Sequence, residues 1–172
     1  MRSCETRASY AVLYNAITGS QLPTRLHEVE ILLVEDFAPD ARLFSELLSN
    51  SGSAYRLSIV DDGEDALRFL ERAGVYATAP TPDLIFLDLN LPKRTGLEIL
   101  QEIRAHPSLR PTPVVVLTSS QSEKDVNAAY GSGANLYLTK PASLNQLEEL
   151  IRALSRIWLE YGELPRAGAN WR

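Results

Sequence analysis

Polar side chains that could act together follow four of the buried apolar runs in the sequence. Glu35 and Asp36 come after Val-Glu-Ile-Leu-Leu-Val, and Asp88 comes after Leu-Ile-Phe-Leu. Thr118 ends Val-Val-Val-Leu-Thr, and Lys140 follows Leu-Tyr-Leu-Thr. An acid after a single strand is more often a helix cap or a turn former. Four strands that each bring a polar group to one sheet edge, where open α/β sheets bind ligands, indicate a site.

Three carboxylates at that edge would repel one another unless a cation lay among them. Mg²⁺ is the expected cofactor because it is a hard ion that takes carboxylate oxygens together with water and phosphate. Zinc is disfavoured because His27 and His106 lie outside the cluster. The added lysine and hydroxyl suit a phosphoryl group. The Asp88 carboxylate would attack phosphorus, Lys140 and the metal would stabilise charge on the transferring oxygens, and Thr118 would hydrogen-bond one of them.

The elements that must position these groups are predicted to be five short strands alternating with five helices. The strands are expected at residues 29–34, 56–60, 84–87, 114–117 and 136–138. The helices are expected to begin after Pro39 and near residues 63, 97, 121 and 144. Asp61 or Asp62 would cap the second helix, and Ser143 would cap the last. Short right-handed crossovers then favour an α/β fold with a doubly wound parallel sheet in the flavodoxin-like order 2-1-3-4-5.

The last predicted helix is extended, and it carries more apolar side chains than one face can bury. Those expected to face the sheet are Leu144, Leu147, Ile151, Leu154 and Trp158. At ~1.5 Å per residue, a helix of roughly nineteen residues extends past strands of about five residues. The overhang suggests a symmetric homodimer, with a pairing surface made of Leu150, Ile157, Trp158 and Tyr161. The alternative is that Trp158 covers the domain's own core.

The bulk composition is that of one domain with additional residues at both ends. The chain has 172 residues, of which 45% are hydrophobic, and its formal net charge is -5. We expect an N-terminal extension (1–28), a body (29–161) and a C-terminal tail (162–172). The acidic balance argues against a nucleic-acid or membrane-surface partner, and no run approaches the ~20 apolar residues of a membrane span. A single cysteine, Cys4, fits a reducing cytoplasm.

Residues 29–157 resemble the response-regulator receiver domain of two-component signalling. The resemblance rests on Glu35-Asp36, on Asp88 in Asp-Leu-Asn-Leu-Pro, on Thr118-Ser119 and on Lys140-Pro141, in that order and at the spacing of the family. It implies that Asp88 accepts a phosphoryl group from a sensor histidine kinase.

The same resemblance assigns more detailed roles. Asp36 and Asp88 would bind Mg²⁺ directly together with the backbone carbonyl of Asn90, and Glu35 would act through water. Thr118 and Tyr137 would form a switch pair that alters the surface of the fourth helix, fifth strand and fifth helix. The Lys140-Pro141 bond is usually cis in the family.

Two departures and one narrower likeness refine the assignment. Thr95 precedes Gly96 where many members have an acid, and the first acid of the pair is Glu35 rather than aspartate. The segments Asp88-Leu-Asn-Leu-Pro-Lys and Trp158-Leu-Glu-Tyr, followed by Leu-Pro, resemble single-domain regulators that partner bacterial phytochromes. About fifteen residues follow the last helix, so no DNA-binding module is expected.

Two other classes of function are open to the same sequence. A Mg²⁺-dependent phosphatase with an aspartyl-phosphate intermediate would need a second aspartate two residues after the nucleophile as general acid. That position is Asn90, which disfavours the phosphatase. A non-phosphorylated dimeric scaffold would act through the long last helix, but it would not explain the acidic set. The favoured interpretation is a phosphoacceptor switch, not an enzyme beyond its own phosphorylation and dephosphorylation.

Overall fold

A five-stranded parallel sheet forms the centre of the protein. The computed structural model describes residues 28–50 and 54–165. The strands are β1 (Val29–Val34), β2 (Tyr55–Val60), β3 (Leu84–Leu87), β4 (Val114–Thr118) and β5 (Leu136–Thr139). All neighbouring pairs run parallel, in the order β2-β1-β3-β4-β5. The predicted fold class and strand order are therefore confirmed.

Helices follow each strand and cover both faces of the sheet. They are α1 (Ala38–Ser49), α2 (Gly63–Glu71), α3 (Gly96–Ala105), α4 (Glu123–Gly131) and α5 (Leu144–Ser155). A short 3₁₀ turn spans Gly74–Tyr76, and a π-helical segment, Arg156–Tyr161, continues α5. The side chains of Asp62 and Ser143 accept hydrogen bonds at the starts of α2 and α5, as predicted. These caps satisfy backbone N–H groups that a helix cannot pair internally.

Alternate residues of the central strands pack into two apolar layers, as the two-residue period of a strand requires. Leu32, Val34, Ile85 and Leu87 contact the apolar faces of α2 and α3. Ile31, Leu33, Phe86 and Val115 point the other way, toward α1 and α5. A strand that is covered on both faces reads as a continuous apolar run. The carboxyl ends of these buried strands are therefore held in fixed positions relative to one another.

The end of the last helix differs from the prediction. Leu144 is 58% exposed and does not face the sheet, whereas Leu159 is buried. The burial of Leu159 follows from the π-helical segment, whose wider turn shifts the buried face by about one residue relative to an α-helix. Trp158 and Leu150 pack partly against the layer formed with α1 and α5. Ile157 and Tyr161 are exposed beyond that layer.

Some predictions concern residues outside the described ranges. Residues 1–27 and 166–172 are among them, so the N-terminal extension (1–28) and most of the tail (162–172) stay predictions. Within the described ranges, no helix is both long enough and apolar enough to cross a membrane.

Candidate active site

The carboxyl ends of β1 and β3 bring three acidic side chains together. The backbone N–H of Glu35 donates to Val60 of β2, and that of Asp88 donates to Val34 of β1, which fixes both residues at the strand ends. Glu35, Asp36 and Asp88 can each offer a carboxylate oxygen within 4.8 Å of the others. Glu35 and Asp88 are buried, and Asp36 is exposed. Three convergent carboxylates fit a hard divalent cation such as Mg²⁺.

Lys140 reaches into this acidic group from the end of β5. Its ammonium nitrogen lies 2.6 Å from Glu35 Oε2, 2.8 Å from Asp88 Oδ2 and 3.1 Å from Asp40 Oδ2. The Lys140 backbone N–H donates to the carbonyl of Thr118, so the ends of β4 and β5 are tied together at the site. One largely buried cation therefore bridges acids from β1, α1 and β3.

Burial and these ion pairs shift the pKa values of the buried groups. Burial raises the pKa of Asp88, but hydrogen bonds from Lys140, the Asn90 N–H and Thr118 outweigh it, so this pKa lies below its usual value. Burial also raises the pKa of Glu35, and here the bond from Lys140 compensates only in part. Burial lowers the pKa of Lys140, but the bonds to Asp88 and Glu35 reverse this and raise it. Asp88 is thus a carboxylate, and Lys140 an ammonium, at neutral pH.

The hydroxyl of Thr118 lies at the same edge, fully buried at the end of β4. It lies close enough to the Asp88 carboxylate to help lower its pKa, and it accepts from the Asn90 side-chain amide at 3.4 Å. The Tyr137 hydroxyl donates to the Ser120 carbonyl in the loop after β4, at 2.9 Å. The two residues predicted to form a switch pair therefore both contact the β4–α4 segment.

The loop after β3 approaches Asp88 closely through a glycine. A Cβ atom on Gly96 would lie 2.1 Å from the Asp88 carbonyl oxygen. Thr95 caps α3 and forms a capping box with Glu98. Thr95, which is one of the two departures from the pattern of the resembled family, is therefore a helix cap.

Two findings differ from the sequence prediction. The Lys140–Pro141 bond is trans, like every other peptide bond in residues 28–50 and 54–165, so the expectation of a cis bond was wrong; the trans isomer is favoured intrinsically by about 0.5–1 kcal/mol. Asp40 was not predicted as a site residue, although it contacts Lys140. An acid in the first turn of a helix that follows β1 lies at the same sheet edge, and that position was the available signal.

The fold, the carboxylates and the lysine are together those of a phosphoacceptor domain. Residues 31–152 match the Response regulator receiver domain family, and the chain belongs to that family. The predicted family is thereby confirmed.

The related proteins narrow the class further. Response regulator Rcp1 of Synechocystis sp. is 47% identical over 137 residues, which are 80% of this chain and 93% of Rcp1. The crystal structure of Mn²⁺-bound Rcp1 is similar with a TM-score of 0.78, at 46% identity, and the match covers 80% of this chain and 99% of that one. The crystal structure of the phosphorylated cyanobacterial phytochrome response regulator RcpA is similar with a TM-score of 0.79, at 43% identity. That match covers 81% of this chain and 100% of that one. The likeness to phytochrome response regulators is confirmed.

Proposed function

We propose that this receiver domain, residues 29–161, takes a phosphoryl group on Asp88 from a sensor histidine kinase and relays the signal through the face formed by α4, β5 and α5. The observation that supports this most directly is the position of the Asp88 carboxylate. It is buried beside Glu35 and Asp36 and lies 2.8 Å from Lys140. No other carboxylate in the described ranges combines that ammonium contact with a buried hydroxyl, Thr118.

The chemistry is a transfer between two nucleophiles. An oxygen of Asp88 attacks phosphorus, a new O–P bond forms, and the bond from phosphorus to the kinase imidazole breaks; the imidazole leaves with the bonding electron pair and takes a proton from solvent. The low pKa of Asp88 keeps its attacking oxygen unprotonated. Lys140 stabilises negative charge on the transferring oxygens, and the Thr118 hydroxyl can donate to one of them.

We assign the metal to Glu35, Asp36, Asp88 and the backbone carbonyl of Asn90. Mg²⁺ bound there would neutralise charge on the phosphoryl oxygens. Support comes from the three convergent carboxylates and from the Mn²⁺ in the structure of Rcp1. Because every candidate ligand is an oxygen, the set suits Mg²⁺ or Mn²⁺ better than zinc.

The switch is assigned to Thr118 and Tyr137. A phosphoryl group adds about 1.5 to 2 negative charges next to Thr118, and a hydroxyl that turns to bond it pulls on the β4–α4 loop. The Tyr137 hydroxyl holds the same loop through Ser120. A change at Asp88 is thereby coupled to the exposed side of α4.

Phosphorylation from a small donor tests the proposal without the kinase. Incubation with Mg²⁺ and acetyl phosphate should add one phosphoryl group to the intact mass of the wild type and none to Asp88→Asn. Asp61→Asn, which removes an exposed acid elsewhere, should behave like the wild type. A wild type that stays unmodified, or an Asp88→Asn variant that is modified equally, contradicts the assignment.

The kinase partner is proposed to be a phytochrome or a related sensor. Support comes from the similarity to RcpA, a phytochrome response regulator, and from exposed apolar side chains at the rim of the site. Phe37 at the start of α1 and Leu144 at the start of α5 are both exposed. Phe37→Ser should slow phosphotransfer from a cognate kinase and leave acetyl phosphate labelling unchanged. Equal slowing with both donors would show that Phe37 supports the site rather than docking.

A homodimer is proposed from the end of the last helix. Ile157 and Tyr161 are exposed, whereas Leu150 and Trp158 pack partly on the domain's own core. Ile157→Glu should therefore convert a dimer to a monomer in sedimentation equilibrium without loss of thermal stability. A wild-type monomer, or an unchanged mass in the variant, contradicts the pairing surface.

A cytoplasmic location stays a prediction, which rests on the single cysteine of the sequence.

A further inference from the structure

Asp40 is the third acid that contacts Lys140. It is neither a proposed metal ligand nor the proposed phosphoacceptor, so its role at the site is still to be explained. Its Oδ2 lies 3.1 Å from the ammonium nitrogen, compared with 2.6 Å for Glu35 and 2.8 Å for Asp88. It does not belong to the convergent group of Glu35, Asp36 and Asp88. A carboxylate close to the lysine but apart from the metal ligands can act on the lysine alone.

The local structure gives Asp40 no competing task. It lies in the first turn of α1, yet no side chain caps that helix at its N-cap residue, Phe37. Its side chain is 38% exposed, whereas those of Glu35 and Asp88 are 4% and 7% exposed. A negative charge near a helix N-terminus is tolerated well. Asp40 is therefore a partly solvated carboxylate that is positioned to pair with Lys140.

Lys140 and a divalent cation would share two carboxylates, those of Glu35 and Asp88. In the geometry observed, the ammonium is bound to Glu35 and Asp88, and both belong to the acidic group that fits a metal. When those carboxylates turn to a metal, a largely buried ammonium loses two partners, and an unpaired buried charge is costly. Asp40 is the remaining anion within reach.

We propose that Asp40 is a positioning residue for Lys140, which keeps the ammonium paired when Glu35 and Asp88 engage the divalent metal and so raises the metal affinity of the site. This rests on the proposed metal site and deepens it. The charge of Asp40 also attracts a dication directly, so both contributions have the same sign. For a partly exposed charge a few ångströms away, we expect Asp40→Asn to weaken metal binding about three- to tenfold.

The test measures binding of the metal alone. Mn²⁺ is titrated into the protein and the free ion is counted by electron paramagnetic resonance, with Mg²⁺ as competitor; no phosphoryl donor is present. Asp40→Asn should bind Mn²⁺ about three- to tenfold more weakly, and Asp40→Glu should recover part of the loss. Glu46→Gln is the matched control, because it removes one exposed acid from the same helix and should leave the affinity unchanged.

A second variant separates positioning from general charge. With Lys140→Gln in place, Asp40→Asn has no ammonium to release, so it should weaken Mn²⁺ binding by a smaller factor than in the wild type. Equal factors in the two backgrounds overturn the positioning role, and so does a wild-type affinity in Asp40→Asn. If the wild type binds no Mn²⁺, the proposed metal site itself is wrong.

Discussion

Gly96→Ala should damage the protein where α3 approaches the phosphoacceptor. The new Cβ would lie 2.1 Å from the Asp88 carbonyl oxygen and 2.8 Å from the Leu89 Cα. All of these neighbours are backbone atoms at the end of β3, so no flexible side chain can move out of the way. The first turn of α3 or the Asp88 backbone must shift by roughly 1 Å to restore ordinary contact distances.

The size of the effect follows from that shift. Forcing one extra carbon into a tightly packed site costs about 1–3 kcal/mol, which lowers the melting temperature of a domain of this size by roughly 3–10 °C. Because a misplacement of about 1 Å can reduce a rate by up to about 100-fold, labelling of Asp88 by acetyl phosphate should slow by at least about tenfold.

Gly131→Ala is the matched control. Gly131 ends α4 and its Cβ would have no atom within 4 Å, so alanine should leave stability unchanged or raise it by about 0.5–1 kcal/mol. The melting temperature, measured by calorimetry, and the rate of acetyl phosphate labelling of both variants test this prediction. A Gly96→Ala variant with wild-type melting temperature and labelling rate would refute the close approach, as would equal damage in the control.

Three further predictions concern two helix caps and one set of side-chain hydrogen bonds. Hydrogen bonds from Lys93 and from the Asp65 N–H hold the pKa of Asp62 below its usual value. A carboxyl group with a lowered pKa in the folded state stabilises the fold at any pH above its unfolded-state pKa of about 3.9. Asp62→Ala should therefore cost about 1 kcal/mol at pH 7, and this difference should shrink as the pH falls below about 4, as urea unfolding of both proteins can measure. Thr95→Ala, which breaks the capping box of α3, should cost about 1 kcal/mol in the same assay, and a change under about 0.3 kcal/mol would contradict the cap. Arg104 donates to the Gly133 and Thr112 carbonyls, so Arg104→Met should cost about 1–3 kcal/mol by leaving part-buried acceptors unpaired, with unchanged stability as the contrary result.

The sequence predicted the sheet well because its strands are covered on both faces. Runs such as Leu84–Leu87 are buried throughout, so their apolar character does not depend on the details of the neighbours. The strand order followed from the handedness of short crossovers. The polar residues after the strands were then brought to one edge by topology alone.

The end of the last helix could not be predicted in the same way. A period of 3.6 residues assigns Trp158 to the sheet and Leu159 to solvent, but the π-helical segment buries Leu159. Leu144 fits the same period and is nevertheless exposed. Tertiary packing determines the burial of both Leu144 and Leu159, and a periodic sequence pattern carries no information about tertiary packing.

Asp40 was missed for a different reason. Its position in the first turn of α1 fits an ordinary helix start. Its ion-pair partner, Lys140, lies 100 positions further along the chain. A contact between residues so far apart in sequence requires the three-dimensional arrangement of β1 and β5. The trans Lys140–Pro141 bond likewise departs from what the family resemblance implied.

Locating the phosphoryl group on the chain is the most direct test of whether Asp88 is the phosphoacceptor. The protein is labelled with acetyl phosphate and Mg²⁺, treated with borohydride to reduce the acyl phosphate to an alcohol, digested and sequenced by mass spectrometry. We expect homoserine at position 88 and unmodified Glu35, Asp36 and Asp40. A reduced residue at any of those three acids, with Asp88 intact, would contradict it.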